Sequence, residues 1–300
     1  QAVRADSTSP NTAVRNFAIL HVAIHDAVNA VTATNATFSA QSPKYPELDP
    51  HLMCAHAAHQ VAANLYPSRV AIFNSLIRKQ IARSIYSSQH LRDAQGLGKA
   101  IANRTLSMRK DDRASTTITY VPRKKIGEWR RTPLRYRPPE QPHWGKVKPF
   151  CISSLEEFLP PPPPALASEA YAHDFDEVNR LGAMKTRHRT DEQTTIAKFW
   201  ADFSYTESPP GHWNHIAANL ALREKLNLTQ TARMFALLNL SMADAGIVAW
   251  ESKYRYHLWR PVHAIRQAAE DGNFATRPDT SWTPLLESPP HPEYVSGHST

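Results

Sequence analysis

Lys253 and Arg260 lie seven residues apart, about two turns of an α-helix. On one continuous helix both side chains project from nearly the same face, and their charged heads converge on one ligand. Arginine supplies a planar fork of donors and lysine a compact point charge, a combination suited to holding phosphate-like oxygens from several directions. Taken alone, basic residues at helical spacing are more often a solvated face or ion-pair partners. A second group, Ser296-Gly297-His298, combines a hydroxyl, a residue whose backbone can approach a ligand closely, and a side chain that transfers protons. A helix starting there would add free N–H groups aimed at an anion.

Other residues carry weaker signals. His21 and His25 have the i, i+4 spacing that can hold a metal on a helix, with Asp26 adjacent, but the ordinary reading is a core or surface histidine. The pairs His56/His59 and Arg255/His257 are read the same way, although His257 sits one turn from Lys253 and could line the same cavity. Asp244 falls in an apolar stretch, where a buried carboxylate needs a partner, and a nearby arginine or lysine is expected.

The elements that must position these residues are helices. Ser9 and Pro10 open a helix whose apolar residues run from Val14 to Val31 at helical spacing. The pattern repeats over 50–66, 68–86 and 89–111 with short connections, as in antiparallel bundles. From Arg113 to Pro164 it fails: eleven prolines accumulate, five of them consecutive from Pro160. The interleaved Trp129, Tyr136, Trp144 and Phe150 favour a functional loop packed onto the bundles, and 119–122 reads as a short extended piece. Helical spacing returns at 168–181, at 190–203 with Thr190 and Gln193 set as a capping box, at 211–225 and at 229–259, where Pro261 ends it; a short helical piece continues to Gln267. The expected fold is all-α: an N-terminal bundle over 1–112, a Pro-rich connecting segment over 113–164, and a second bundle over 165–300 that carries the candidate residues.

Composition is consistent with a globular chain. Its 300 residues are 41% hydrophobic, and 35 Lys and Arg against 27 Asp and Glu leave a net charge of +8, which favours anionic ligands. The short basic clusters Arg123-Lys124-Lys125 and Arg130-Arg131 read as solvated loop rather than nucleic-acid contact. Cys54 and Cys151 allow one disulfide or none. The most apolar stretch, 234–250, contains Asp244 and is shorter than a spanning helix requires, so no membrane span is expected. The start at Gln1, almost at a helix start, suggests processing or trimming.

Lys-x6-Arg-Pro at 253–261 followed 34 positions later by Val295-Ser296-Gly297-His298 resembles the two leading blocks of the vanadium haloperoxidase and type 2 phosphatidic acid phosphatase superfamily. His143-Trp144-Gly145 with Pro149-Phe150, Phe199-Trp200-Ala201-Asp202, Pro210-Gly211-His212-Trp213-Asn214, and the segments 2–6 and 19–24 are similar to its soluble bacterial branch. The resemblance implies that Lys253, Arg260, Ser296, Gly297 and His298 bind vanadate, with phosphate or another oxyanion able to substitute. It further implies that Lys253 polarises a peroxide, that Arg260 neutralises vanadate charge and that His298 is the acid/base. His291 occupies a place similar to a histidine near the halide site of bromide-oxidising members, which tilts the reading toward bromide; an exposed loop histidine is the alternative. The implied partners are hydrogen peroxide, halide and a small organic acceptor, with no nucleic acid and no membrane; a homo-oligomer is left open, and a periplasmic or extracellular location is expected. Two departures stand out. Val295 replaces the family's usual proline, and the third block, whose histidine would ligate vanadium, is expected beyond Thr300. A fragment of a longer polypeptide is the preferred reading; completion by another chain and a remnant that lost the site are the alternatives. Three functions therefore remain open: a haloperoxidase, a phosphatase using the same pocket, and a non-catalytic helical scaffold.

Overall fold

The computed structural model describes residues 1–39, 44–82, 85–202 and 206–300. Among them, secondary structure is helical apart from two isolated bridges, Glu128 with Leu258 and Ala183 with Pro284. The all-α expectation holds. The chain divides into two compact units, one of residues 1–112, 149–151 and 203–244, the other of 113–148, 152–202 and 245–300.

The first unit is built on helix α2 (Pro10–Thr32), preceded by the short α1 (Ala2–Ala5). Its Ile19, Ala23, Ala27 and Ala30 pack with Leu52, Met53, Ala57 and Val61 of α3 (Pro50–Leu65) and with Ala94, Ile101 and Ala102 of α5 (Ser88–Met108). α4 (Val70–Ile81) lies between them in the chain. It is shorter than the helix expected over 68–86, whose residues 83 and 84 lie outside the described residues. Asp49 caps α3 by accepting from the Leu52 N–H at 2.8 Å. Small residues set the α3–α5 spacing: a Cβ on Gly98 would stand 2.7 Å from the Met53 carbonyl oxygen.

The segment 203–244, expected in the second bundle, belongs to this first unit, and its side chains explain why. Leu240 and Ala243 of α9 (Leu228–Tyr256) pack on Val14, Ala18 and Val22 of α2. Asn214 of α8 (Ser208–Arg223) and Asn239 exchange amide hydrogen bonds of 2.8 and 2.9 Å. Residues 149–151 are held here as well. The Phe150 and Cys151 N–H groups donate to the two Asp244 oxygens at 2.6 and 2.7 Å, and Arg109 donates to the Pro149 carbonyl at 3.0 Å while stacking 3.7 Å over the Phe150 ring. Asp244 thus takes backbone donors, and the Arg109 guanidinium feels its charge. Cys54 and Cys151 are both free thiols.

In the second unit, α6 (Glu169–Gly182) and α10 (Pro261–Arg266) enclose Tyr171, Phe175, Trp259, Val262, Ile265 and Trp282. α7 (Asp191–Phe199) carries the expected capping box between Thr190 and Gln193; Phe203, the expected end of that helix, lies outside the described residues. The Pro-rich segment contains only two short 3-10 turns, Trp144–Lys146 and Glu156–Phe158, and 119–122 joins no strand. Trp144 and Val147 pack on Ile247, Ala249 and Trp250 of α9, an approach that Gly145 permits because a Cβ there would stand 2.6 Å from the Glu251 carboxylate.

α9 spans 29 residues and, contrary to the sequence expectation, is long and apolar enough to cross a membrane by length and composition; half of its most apolar stretch is buried in the protein. Its Leu240 and Ala243 pack on α2, and its Ile247, Ala249 and Trp250 on Trp144 and Val147, while Leu237 is exposed.

Candidate functional site

Lys253 occupies the last turn of α9, but Arg260 is not on that helix. α9 stops at Tyr256, His257 takes a left-handed backbone at φ 56°, and Arg260 is extended at φ −83°, ψ 152°, one residue before α10. The expected shared helical face is therefore corrected: a turn, not helical register, brings the two cations together. The turn is fixed by its backbone. His257 N–H donates to the Lys253 carbonyl at 2.9 Å, the His257 carbonyl accepts from Trp129 N–H at 2.6 Å, and Trp259 N–H donates to Gly127 O at 2.9 Å.

Both cations are buried, Lys253 with 1% and Arg260 with 7% of its surface exposed. Both are also occupied by residues 291–295. The Lys253 ammonium donates to the carbonyls of Pro292 at 3.2 Å, Glu293 at 3.0 Å and Val295. Arg260 donates through Nε to the His291 carbonyl at 2.7 Å, through one terminal nitrogen to Glu293 Oε2 at 2.5 Å, and through the other contacts His291 Nδ1 at 2.9 Å. Burial, reinforced by the Arg260 charge and opposed by Glu293, pushes the Lys253 pKa down to about 7. Three carbonyls require three N–H donors, which only the ammonium form supplies.

His291 is not a freely exposed loop residue. Its ring packs on Trp250 at 4.9 Å between centroids, and burial with the charges of Arg260 and Lys253 holds its pKa well below the usual histidine range, so it is neutral. The loop around it is tied down from the Pro-rich side. Glu140 N–H donates to the Pro290 carbonyl at 2.8 Å, the Trp250 indole and Tyr254 hydroxyl donate to the Glu140 carbonyl at 3.2 and 2.8 Å, and the Tyr294 hydroxyl donates to Pro161 O at 2.9 Å.

Ser296, Gly297 and His298 follow immediately and are exposed, in a turn closed by Ser299 N–H on the Ser296 carbonyl at 3.2 Å, not in a helix. Gly297 faces the Trp250 ring, where a Cβ would make ordinary contact at 3.5 Å. Among the described residues the side chains of Ser296 and His298 make no hydrogen bond to Lys253 or Arg260. The structure thus unites Lys253, Arg260 and His291 and leaves the Ser-Gly-His turn at the surface beside them. His257 does not join this group; its ring accepts or donates at 2.8 Å to the Tyr120 hydroxyl.

Glu293 and Trp250 are the site residues that sequence reasoning missed. Glu293 lies inside the block Pro292-Glu293-Tyr294, and a single carboxylate beside two cations was the available signal. The other histidine candidates resolve as packing residues. His21 stacks on Phe235 at 4.9 Å and burial lowers its pKa to about 4, while His25 contacts Asp26 and Asn29 at 3.2 and 3.1 Å. Among the described residues no cluster of metal-ligating side chains occurs.

Fold and site together define an all-helical bundle protein that buries a lysine and an arginine against one Pro-rich loop. Residues 233–300 match the family model described as the second helical-bundle domain of vanadium chloroperoxidase. The chain is 24% identical to the vanadium chloroperoxidase of Curvularia inaequalis over 98% of its own length, and it spans 59% of that relative's length. The crystal structure of a bacterial vanadium-dependent iodoperoxidase superposes with a TM-score of 0.81 at 26% identity, covering 99% of this chain and 74% of the other. That of a bacterial vanadium-dependent chloroperoxidase in its holo form gives 0.76 at 18% identity, covering 98% and 73%, a likeness of fold. The chain is thus similar, along nearly its whole length, to vanadium-dependent haloperoxidases, and residues 233–300 match that family's second-bundle model.

Proposed function

We propose that this chain contributes the oxyanion site of a vanadate-dependent haloperoxidase, in which hydrogen peroxide oxidises a halide to a hypohalous species that reacts with a small organic acceptor. The observation that carries the reading is the burial of Lys253 and Arg260 together beside the Ser296-Gly297-His298 turn. A buried ammonium and guanidinium carry a large desolvation cost, which a multiply charged tetrahedral anion offsets well.

The donor set fits such an anion. Lys253 and Arg260 would hold its oxygens, the Ser296 hydroxyl and Gly297 backbone would add hydrogen bonds, and His298 would give and take protons at its exposed imidazole. Vanadate, if bound there, would supply Lewis-acid activation of peroxide. Lys253, with its pKa near 7, would donate a hydrogen bond or a proton to a peroxide oxygen once released from a loop carbonyl. His291, neutral and packed on Trp250, would border the halide, and bromide is the halide this reading favours.

The test is halogenation of a phenol indicator by the chain with peroxide, with and without added vanadate, across iodide, bromide and chloride. Vanadate-dependent bromination that disappears in K253A/R260A supports the reading. Ester hydrolysis inhibited by orthovanadate, without halogenation, would replace it by a phosphatase using the same donors. Neither activity, with no vanadate or phosphate bound, would leave a helical scaffold, a reading favoured by the saturation of both cations by the chain's own oxygens.

A further inference from the structure

The two buried cations do not await a ligand with free donors. Arg260 holds the Glu293 carboxylate at 2.5 Å, and the backbone carbonyl of that same residue takes one Lys253 donor at 3.0 Å. The two partners of the ion pair differ sharply in exposure: the Arg260 side chain is 9% exposed and that of Glu293 36%. A carboxylate with solvent beside it can swing out and be hydrated, whereas the guanidinium cannot leave without carrying its charge through the core. Charge also favours exchange. Below about pH 7 Lys253 and Arg260 are both cationic and His291 is neutral, and of the nearby carboxylates Glu293 is the one in direct contact with Arg260, Glu140 acting on it only through its charge at longer range.

We infer that Glu293 is an internal counter-ion which keeps Arg260 paired in the absence of ligand and which an incoming tetrahedral oxyanion displaces, so that Glu293 sets the oxyanion affinity of the site. The inference rests on the oxyanion-site reading above. Displacement exchanges one carboxylate for an anion that reaches Arg260 and Lys253 together, which favours multiply charged oxyanions over monovalent ones. Lys253 must then surrender at least one of its three carbonyl partners, so the 292–295 backbone shifts with ligand while Arg260 stays.

Calorimetric titration of the full chain with inorganic phosphate and with orthovanadate, at fixed pH and ionic strength, tests this without any turnover. E293Q keeps the shape and an acceptor oxygen but loses the charge, and it is expected to bind both anions roughly tenfold more tightly than the parent. E287Q is the control: Glu287 pairs with Arg135 and Arg137 at 3.6 and 3.3 Å, so it removes a charge from the same unit but not from Arg260, and its affinity should stay within about twofold of the parent. Should E293Q fold poorly by circular dichroism, E293D, whose shorter side chain reaches Arg260 less well, is expected to give a smaller tightening in the same direction. Parent binding that E293Q leaves unchanged or weakens, or an equal gain in E287Q, overturns the counter-ion role alone. Absence of binding in both parent and folded E293Q overturns the oxyanion site and the counter-ion with it.

Discussion

The Arg260 guanidinium sits 2.5 Å from the Glu293 carboxylate, and the arginine is sealed from solvent while the glutamate is not. Removing the arginine leaves an anion that relaxes into water; removing the glutamate leaves a cation that cannot. R260M is therefore expected to cost about 1–2 kcal/mol of stability, less than a fully buried pair would, because the Glu293 end is solvent-screened. Chemical denaturation of R260M measures it, and a loss above about 4 kcal/mol would mean that Arg260 chiefly supports the fold.

Lys253 gives a pH signature. Its folded pKa is lowered to about 7 from the ordinary 10.5, so between those values the unfolded chain holds a proton that the folded chain has released. Stability from this residue therefore rises with pH across that window and is lowest, and constant, below it. Denaturation midpoints of the parent and K253M between pH 6 and 10.5 should diverge most at the acid end. Parallel profiles would show that Lys253 titrates like a surface lysine.

Asn214 and Asn239 satisfy each other inside the first unit, where Asn239 has no exposed surface. N239L takes the donor from Asn214 Oδ1, while Asn214 Nδ2 keeps the Pro210 carbonyl, and is expected to cost about 1–3 kcal/mol, whereas N214L/N239L, which removes both polar groups, recovers part of the loss. Thermal melts of the single and double variants decide it; strict additivity would contradict the pairing.

Cys151 reports on Asp244. Burial and the adjacent carboxylate raise its thiol pKa, while Cys54 is pushed up to about 11, mainly by burial. D244N should move the midpoint of the Cys151 reaction with a disulfide reagent to lower pH and leave Cys54 slow. It should also weaken the hold on the Phe150 and Cys151 amides, costing about 1–3 kcal/mol. An unmoved midpoint would remove Asp244 as a cause.

Periodicity carried most of the helices: the boundaries of α2, α3, α6 and the capping box of α7 were readable because local spacing, prolines and caps decide them. The partition of the chain was not. Whether 203–244 joins one unit or the other depends on pairs such as Asn214 with Asn239, twenty-five residues apart, that no local pattern announces. At the site, Lys253 and Arg260 were legible as a pair, but the reason they meet was misread, since the left-handed turn at His257 occurs at a residue with no glycine signal. Glu293 was invisible as a partner because its role exists only once the loop has folded back on α9.

That fold-back has a consequence for the order of assembly. The bonds that occupy Lys253 span 39 to 42 residues, and those that tie the same loop to the Pro-rich segment, Tyr294 to Pro161 and Glu140 to Pro290, span 133 residues and more. Proline carbonyls offer acceptors without matching donors, so these loops close by scattered side-chain bonds and not by a propagating ladder. Helices with local contacts form early, whereas closures of this length come late. During synthesis α9 is complete, with Lys253 uncovered and hydrated, well before residues 291–295 emerge to sequester it, so the buried lysine begins its life as a surface residue.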